Sequence, residues 1–155
     1  MELKKINPYA RHCARRCLVQ SLYQWQLSNN ELSDIERQAV EDPQNKKMDF
    51  EYFKELLYFV VQHVQVVDKN IMPFLDRTIE KLDPVELAII RMSTYELLHR
   101  IEIPYRVIIN EGIELAKLFG SEDSHKYVNG VLDKLARKLR VSERKISNTT
   151  NTNDA

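Results

Sequence analysis

The sequence predicts an all-α fold of about seven helices. Three observations carry that reading. Apolar residues recur at three- and four-residue spacing in seven successive segments, which is the period of a helix buried on one side. Among 155 residues there are only three glycines and five prolines, too few for a turn-rich β-fold. The segments are joined by short polar stretches that carry cap and stop residues. A chain of this length can bury roughly 70% of its unfolded surface in one domain.

Taken in order, Asn7-Pro8 starts the first helix with an Asn cap and a proline at the first helical position. That helix runs to about Leu27, with Ala14, Leu18, Leu22 and Trp25 in one apolar stripe, and Ser28-Asn29-Asn30 ends it. A short helix around Leu32–Val40 buries Leu32, Ile35 and Ala39. Asp49 caps a third, with Phe50, Phe53, Leu56, Leu57, Val60, Val61 and Val64 on its inner side, continuing to Val67. His63 falls within it as a partly buried packing residue. A fourth helix spans Asn70–Leu82, with Pro73 in its first turn. Asp83-Pro84-Val85-Glu86 is a capping-box arrangement opening a fifth helix with Leu87, Ile90, Thr94, Leu97 and Leu98. Pro104 opens the sixth, which carries Val107, Ile108, Leu115 and Leu118 and stops at Gly120. The seventh runs from about Ser124 to Leu139 on Val128, Val131, Leu132, Leu135 and Leu139. Gly130 inside it points to a close helix–helix approach, because a mid-helix glycine costs about 1 kcal/mol relative to alanine.

Composition narrows the function classes. No stretch of about 18 apolar residues offers a membrane span, and the N-terminus lacks the apolar core of a signal peptide. Cys13 and Cys17 lie one turn apart beside His12 without a further ligand set, so two reduced thiols are expected rather than a metal site. These features fit a cytoplasmic protein. The sequence has no phosphate-binding glycine loop, HExxH or GxSxG motif, and His12, His63, His99 and His125 sit on separate helices, so neither enzyme activity nor a cofactor is expected.

The formal net charge of zero conceals a segregation. Residues 1–17 hold Lys4, Lys5, Arg11, Arg15 and Arg16 against Glu2 alone. Residues 117–145 hold eight basic against four acidic residues, whereas residues 18–116 hold ten against seventeen. Basic ends suit a polyanion and the acidic middle suits a basic partner. On the first helix Arg15, His12, Arg16 and Tyr23 share a face away from the apolar stripe. Guanidinium groups pair with phosphates, and Tyr and His rings stack on unpaired bases, so this face suits single-stranded RNA. A second candidate is the start of the seventh helix, where Ser124, His125, Lys126 and Tyr127 surround the positive end of a helix dipole.

The runs ARHCARRCLVQSLYQWQLS, PYRVIINEGIELAKLFG and EDSHKYVNGVLDK closely resemble the bacterial transcription antitermination factor NusB family, in order and spacing over residues 8–140. The resemblance implies two packed helical subdomains around a continuous core, within a NusB-like helical RNA-binding domain of residues 1–141. Residues 142–155 form a polar tail expected to be disordered. It further implies binding to the boxA element of nascent ribosomal RNA together with NusE, a small-subunit ribosomal protein, in a complex that joins RNA polymerase and other Nus factors. Homodimers also occur in the family. Matched by position, Arg11, His12, Arg15, Arg16, Tyr23, Asp123, Ser124, Lys126 and Tyr127 correspond to the RNA-contacting surface, and Glu80 and Glu86 to the NusE-facing one. Family members often carry consecutive arginines where this chain has Arg11-His12-Cys13. That departure shifts weight to Arg15 and Arg16 and predicts weaker or more pH-dependent RNA affinity, because His12 and Cys13 stand where cations are expected. The alternative is a helical protein-interaction scaffold without a direct RNA role.

Overall fold

The computed structural model describes residues 6–143; of the tail expected to be disordered, 142–155, residues 142 and 143 are helical and the rest lie outside the described range. Within it lie seven α-helices: α1 Pro8–Leu27, α2 Leu32–Glu41, α3 Phe50–Gln62, α4 Val64–Ile71, α5 Pro84–His99, α6 Tyr105–Phe119 and α7 Ser124–Leu139. Three short 3-10 turns interrupt the connections, at Pro43–Asn45, Met72–Phe74 and Ile79–Lys81. α1, α2 and α3 form one group and α4 to α7 another, and α1 packs against α5 to join them. One connected apolar core runs through both groups, from Leu18, Leu22, Phe53 and Leu57 to Ile90, Leu115, Leu132 and Leu135.

The helix starts follow the local chemistry. The Asn7 side chain accepts from the backbone N–H groups of Tyr9 and Ala10. Asp49 does the same for Tyr52, and Asp83 for Val85 and Glu86. Each satisfies donors that a helix cannot pair internally.

Two boundaries differ from the sequence reading. The third helix breaks at His63, which closes α3 and opens α4. The bend lets α3 pack on α1 while Val67 and Ile71 of α4 turn toward the core. His63 is consequently exposed rather than half-buried, with its ring 5.0 Å from that of Phe59. The expected helix over Asn70–Leu82 does not form. Pro73 has no N–H to continue the α4 ladder, so the chain tightens into a 3-10 turn and then extends at Leu75.

α5 is the central element, buried over residues 86–97 with almost no solvent face. Its C-terminus is held by Arg140, whose guanidinium donates to the carbonyls of Glu96, Leu97 and Arg100, and to that of Ile103. Arg140 also pairs with Glu143 at 2.6 Å, and the same Glu143 carboxylate accepts the Tyr105 N–H at the start of α6. A basic side chain thus pairs the last carbonyls of a buried helix. At the other end of the bundle Arg91 of α5 forms a bidentate pair with Asp68 of α4 and donates to Gln26 of α1.

The close helix approach is at Gly112, not Gly130. A Cβ at Gly112 would meet Leu132 Cδ1 at 2.9 Å, whereas at Gly130 it would meet nothing within 4 Å.

Candidate nucleic-acid interface

The predicted face of α1 divides when placed in the fold. Arg15 is 3% exposed, because α1 is enclosed by α2, α3, α5 and α6 and buries a wider arc than one apolar stripe. Its Nε and Nη2 donate to the Glu96 carboxylate of α5 at 2.9–3.1 Å, and Nη1 lies 3.8 Å from Glu111 of α6. Glu96 is itself fully buried and also accepts from the Tyr52 hydroxyl. Burial alone would lower the Arg15 pKa, but the Glu96 carboxylate outweighs it and holds the guanidinium charged. Arg15 is therefore an interior ion-pair residue, and its expected place on a solvent face with His12, Arg16 and Tyr23 is corrected.

The remaining α1 residues stay accessible. Arg16 is half-buried and Tyr23 is 41% exposed. His12 is half-buried, with Nδ1 2.8 Å from a Glu111 carboxylate oxygen. Arg11 stacks on the Tyr52 ring at 4.3 Å. Glu111 thus ties together His12 and Arg15, one turn apart on α1.

The second group gathers at the start of α7. Asp123 and Lys126 are exposed and lie 3.5 Å apart. Tyr127 is half-buried; its hydroxyl donates to Asp76 at 3.3 Å, and the Arg77 guanidinium lies 5.2 Å from its ring. Arg77 also chelates Asp76, which holds that carboxyl below the usual range. Ser124 is corrected from a surface contact to an interior one: it is 1% exposed, and its hydroxyl accepts from the Ser121 N–H. Ser124 also hydrogen-bonds Glu86, whose carboxyl burial holds above its ordinary pKa. Of the two predicted partner-facing acids, only Glu80 is exposed; Glu86 is 9% exposed at the edge of the core.

A family model described as the NusB family matches residues 12–137. The chain belongs to the NusB family. The transcription antitermination protein NusB of Alcanivorax borkumensis is 55% identical over 137 residues, covering 88% of this chain and 91% of that protein. The protein of the same name from Pseudomonas savastanoi pv. phaseolicola is 54% identical over 142 residues, covering 92% and 86%. Among solved structures, T. maritima NusB aligns with a TM-score of 0.75 at 28% identity, over 87% of this chain and 93% of that one. A chain from a crystal structure of the antitermination factors NusB and NusE in complex with dsRNA aligns with a TM-score of 0.75 at 26% identity, over 85% and 99%.

Sequence reasoning missed the residues that pack and pair with these side chains: Glu96, Tyr52, Arg100, Asp76 and Arg77. One signal was available for Glu96. An acid in the middle of an otherwise apolar helix is rarely buried without a cation, and Arg15 supplies it.

Proposed function

We propose that this NusB-family protein is a cytoplasmic transcription antitermination factor. It binds the boxA element of nascent ribosomal RNA together with NusE and brings that complex to RNA polymerase. It acts as an adaptor, not an enzyme. The observation that carries this reading is the match to NusB over nearly the whole chain, joined to the likeness to a NusB captured with NusE and RNA.

Arg11, Arg16 and Tyr23 present two cations and a ring from α1, and Asp123, Lys126 and Tyr127 present a mixed polar rim at α7. Cations supply most of the affinity for a phosphate chain, and rings add contacts to unpaired bases. Arg15 and Ser124 act from inside, holding α1 to α5 and α7 to α5. NusE docks on the irregular segment 72–82 around Glu80, whose hollows are lined by Met72, Leu75 and Ile79 on one side and by Trp25, Leu27 and Leu87 on the other. Glu86, pinned by Ser124, sets the edge of that surface. An exposed carboxylate there suits a basic ribosomal protein.

The test is a fluorescence-anisotropy titration of boxA RNA with and without NusE. Arg16→Ala weakens RNA binding about tenfold, the loss of one charged contact, and spares NusE. Glu80→Ala does the reverse. NusE binding without any RNA binding would leave a protein-only scaffold and defeat the proposal.

A further inference from the structure

We infer that Arg100, at the end of α5, joins Arg11 to form a further phosphate-binding subsite on the flat face of Tyr52, used by one phosphodiester of the bound RNA strand. The inference rests on the RNA-binding reading above and adds a residue and a place to it.

Three guanidinium groups gather around the Tyr52 ring: Arg11 at 4.3 Å, Arg100 at 4.9 Å and Arg15 at 5.5 Å from its centroid. Arg15 is committed to Glu96. Arg11 and Arg100 are not committed in this way. The Nε atoms of both are buried without a hydrogen-bond partner, and among the described residues only the Ser93 hydroxyl shares that condition. Both side chains line the same surface hollow, with Ile6, Asp49, Glu51 and Glu55 as its other walls. Leaving a buried donor unpaired is unfavourable, and two such donors on one ring point to an acceptor supplied from outside. Two planar forks facing a shared hollow match the oxygens of a phosphate, which arginine chelates better than lysine does.

Asp49, Glu55 and the neighbouring Glu102 do not fill that role. Asp49 is turned to the start of α3, where it accepts the Tyr52 N–H. Glu55 accepts the Tyr95 hydroxyl at 3.3 Å and lies 3.6 Å from Arg100 Nε; Glu102 lies 3.3 Å from the same atom. Neither completes a hydrogen bond with that Nε. They balance the charge of Arg100 in the free protein, and a phosphate oxygen competes with them for it. Glu55 is thus a built-in opponent of the subsite, and neutralising it strengthens RNA binding.

The full-length chain is titrated with boxA RNA over a range of salt concentrations. Arg100→Ala lowers affinity about tenfold and makes the slope of log K against log salt shallower by about one, the mark of one lost phosphate contact. Arg100→Lys restores the slope but not the affinity. Glu55→Gln tightens binding. An unchanged slope in Arg100→Ala overturns the inference even if affinity falls, because that outcome means a structural effect. Should Arg100→Ala not fold, Glu55→Gln decides alone, and failure to tighten overturns the subsite. If Arg16→Ala shifts the slope and Arg100→Ala does not, only this subsite is wrong. If the wild-type chain binds no RNA, the underlying reading fails with it.

Discussion

The most consequential residue of α1 faces inward. Arg15 and Glu96 pair across 81 positions of sequence, with the Tyr52 hydroxyl on the same carboxylate. A helical wheel places Arg15 beside Arg16 and Tyr23, because it counts only angles along one helix. It cannot register that α5 delivers an unsolvated carboxylate to that point. The misplacement is therefore a long-range electrostatic effect, and no local pattern carries it. Removing one member of such a pair strands the other charge in the core. Arg15→Ala lowers stability by about 3–5 kcal/mol, measured as a fall in the urea unfolding midpoint. Arg16→Ala, which breaks no hydrogen bond or ion pair, leaves that midpoint within about 0.5 kcal/mol of wild type. Any loss of RNA binding in Arg15→Ala then tracks unfolding, whereas in Arg16→Ala it does not.

At the scale of the element, helix starts were legible and one helix was not. Asn7-Pro8 and Asp83-Pro84 act through side chains one to three residues away, so their meaning is local. The stretch 70–82 has enough apolar residues for a helix, but Pro73 removes a ladder hydrogen bond, and the apolar residues there are divided between the core, which takes Ile71 and Leu82, and surface hollows lined by Met72 and Ile79. The glycines make the same point. Composition alone could not tell which of two helical glycines sits at a crossing. Gly112→Ala forces a Cβ against Leu132 where α6 meets α7 and costs about 1–3 kcal/mol. Gly130→Ala fills open space on α7 and gains about 0.5–1 kcal/mol. Thermal melts of the two variants should shift in opposite directions; a common direction would reject the assignment of the crossing to Gly112.

For the whole molecule, the all-helical class and the division into two groups followed from periodicity and the family resemblance. What the sequence could not show was how thoroughly the shared core shelters its titratable groups. Burial raises the Cys17 thiol to about 11 and, with Glu55 nearby, the Tyr95 phenol to about 12. Both values lie above the ordinary ones, so the unfolded chain releases these protons first as pH rises. The stability linked to Cys17 is complete below the ordinary thiol range and is lost as pH climbs through about 11; that of Tyr95 follows toward about 12. The melting temperature is expected to hold steady up to about pH 8.5 and then fall. Cys17→Ala removes the earlier part of that fall. In the native protein Cys17 resists thiol reagents at pH 8, and rapid labelling there would contradict its burial.

Glu96 is held from both ends of the chain: Arg15 takes its carboxylate, and Arg140 takes its carbonyl. On the ribosome these partners arrive at very different times. Arg15 has emerged long before α5 is made, but the donor that closes the C-terminus of α5 is translated some forty residues after it. A nascent chain ending short of Arg140 has the components of the core and not its fastening. Its central helix stays frayed at the C-terminal turn until synthesis is nearly complete, so the order of translation delays the final folding step to the last residues of α7 and just beyond.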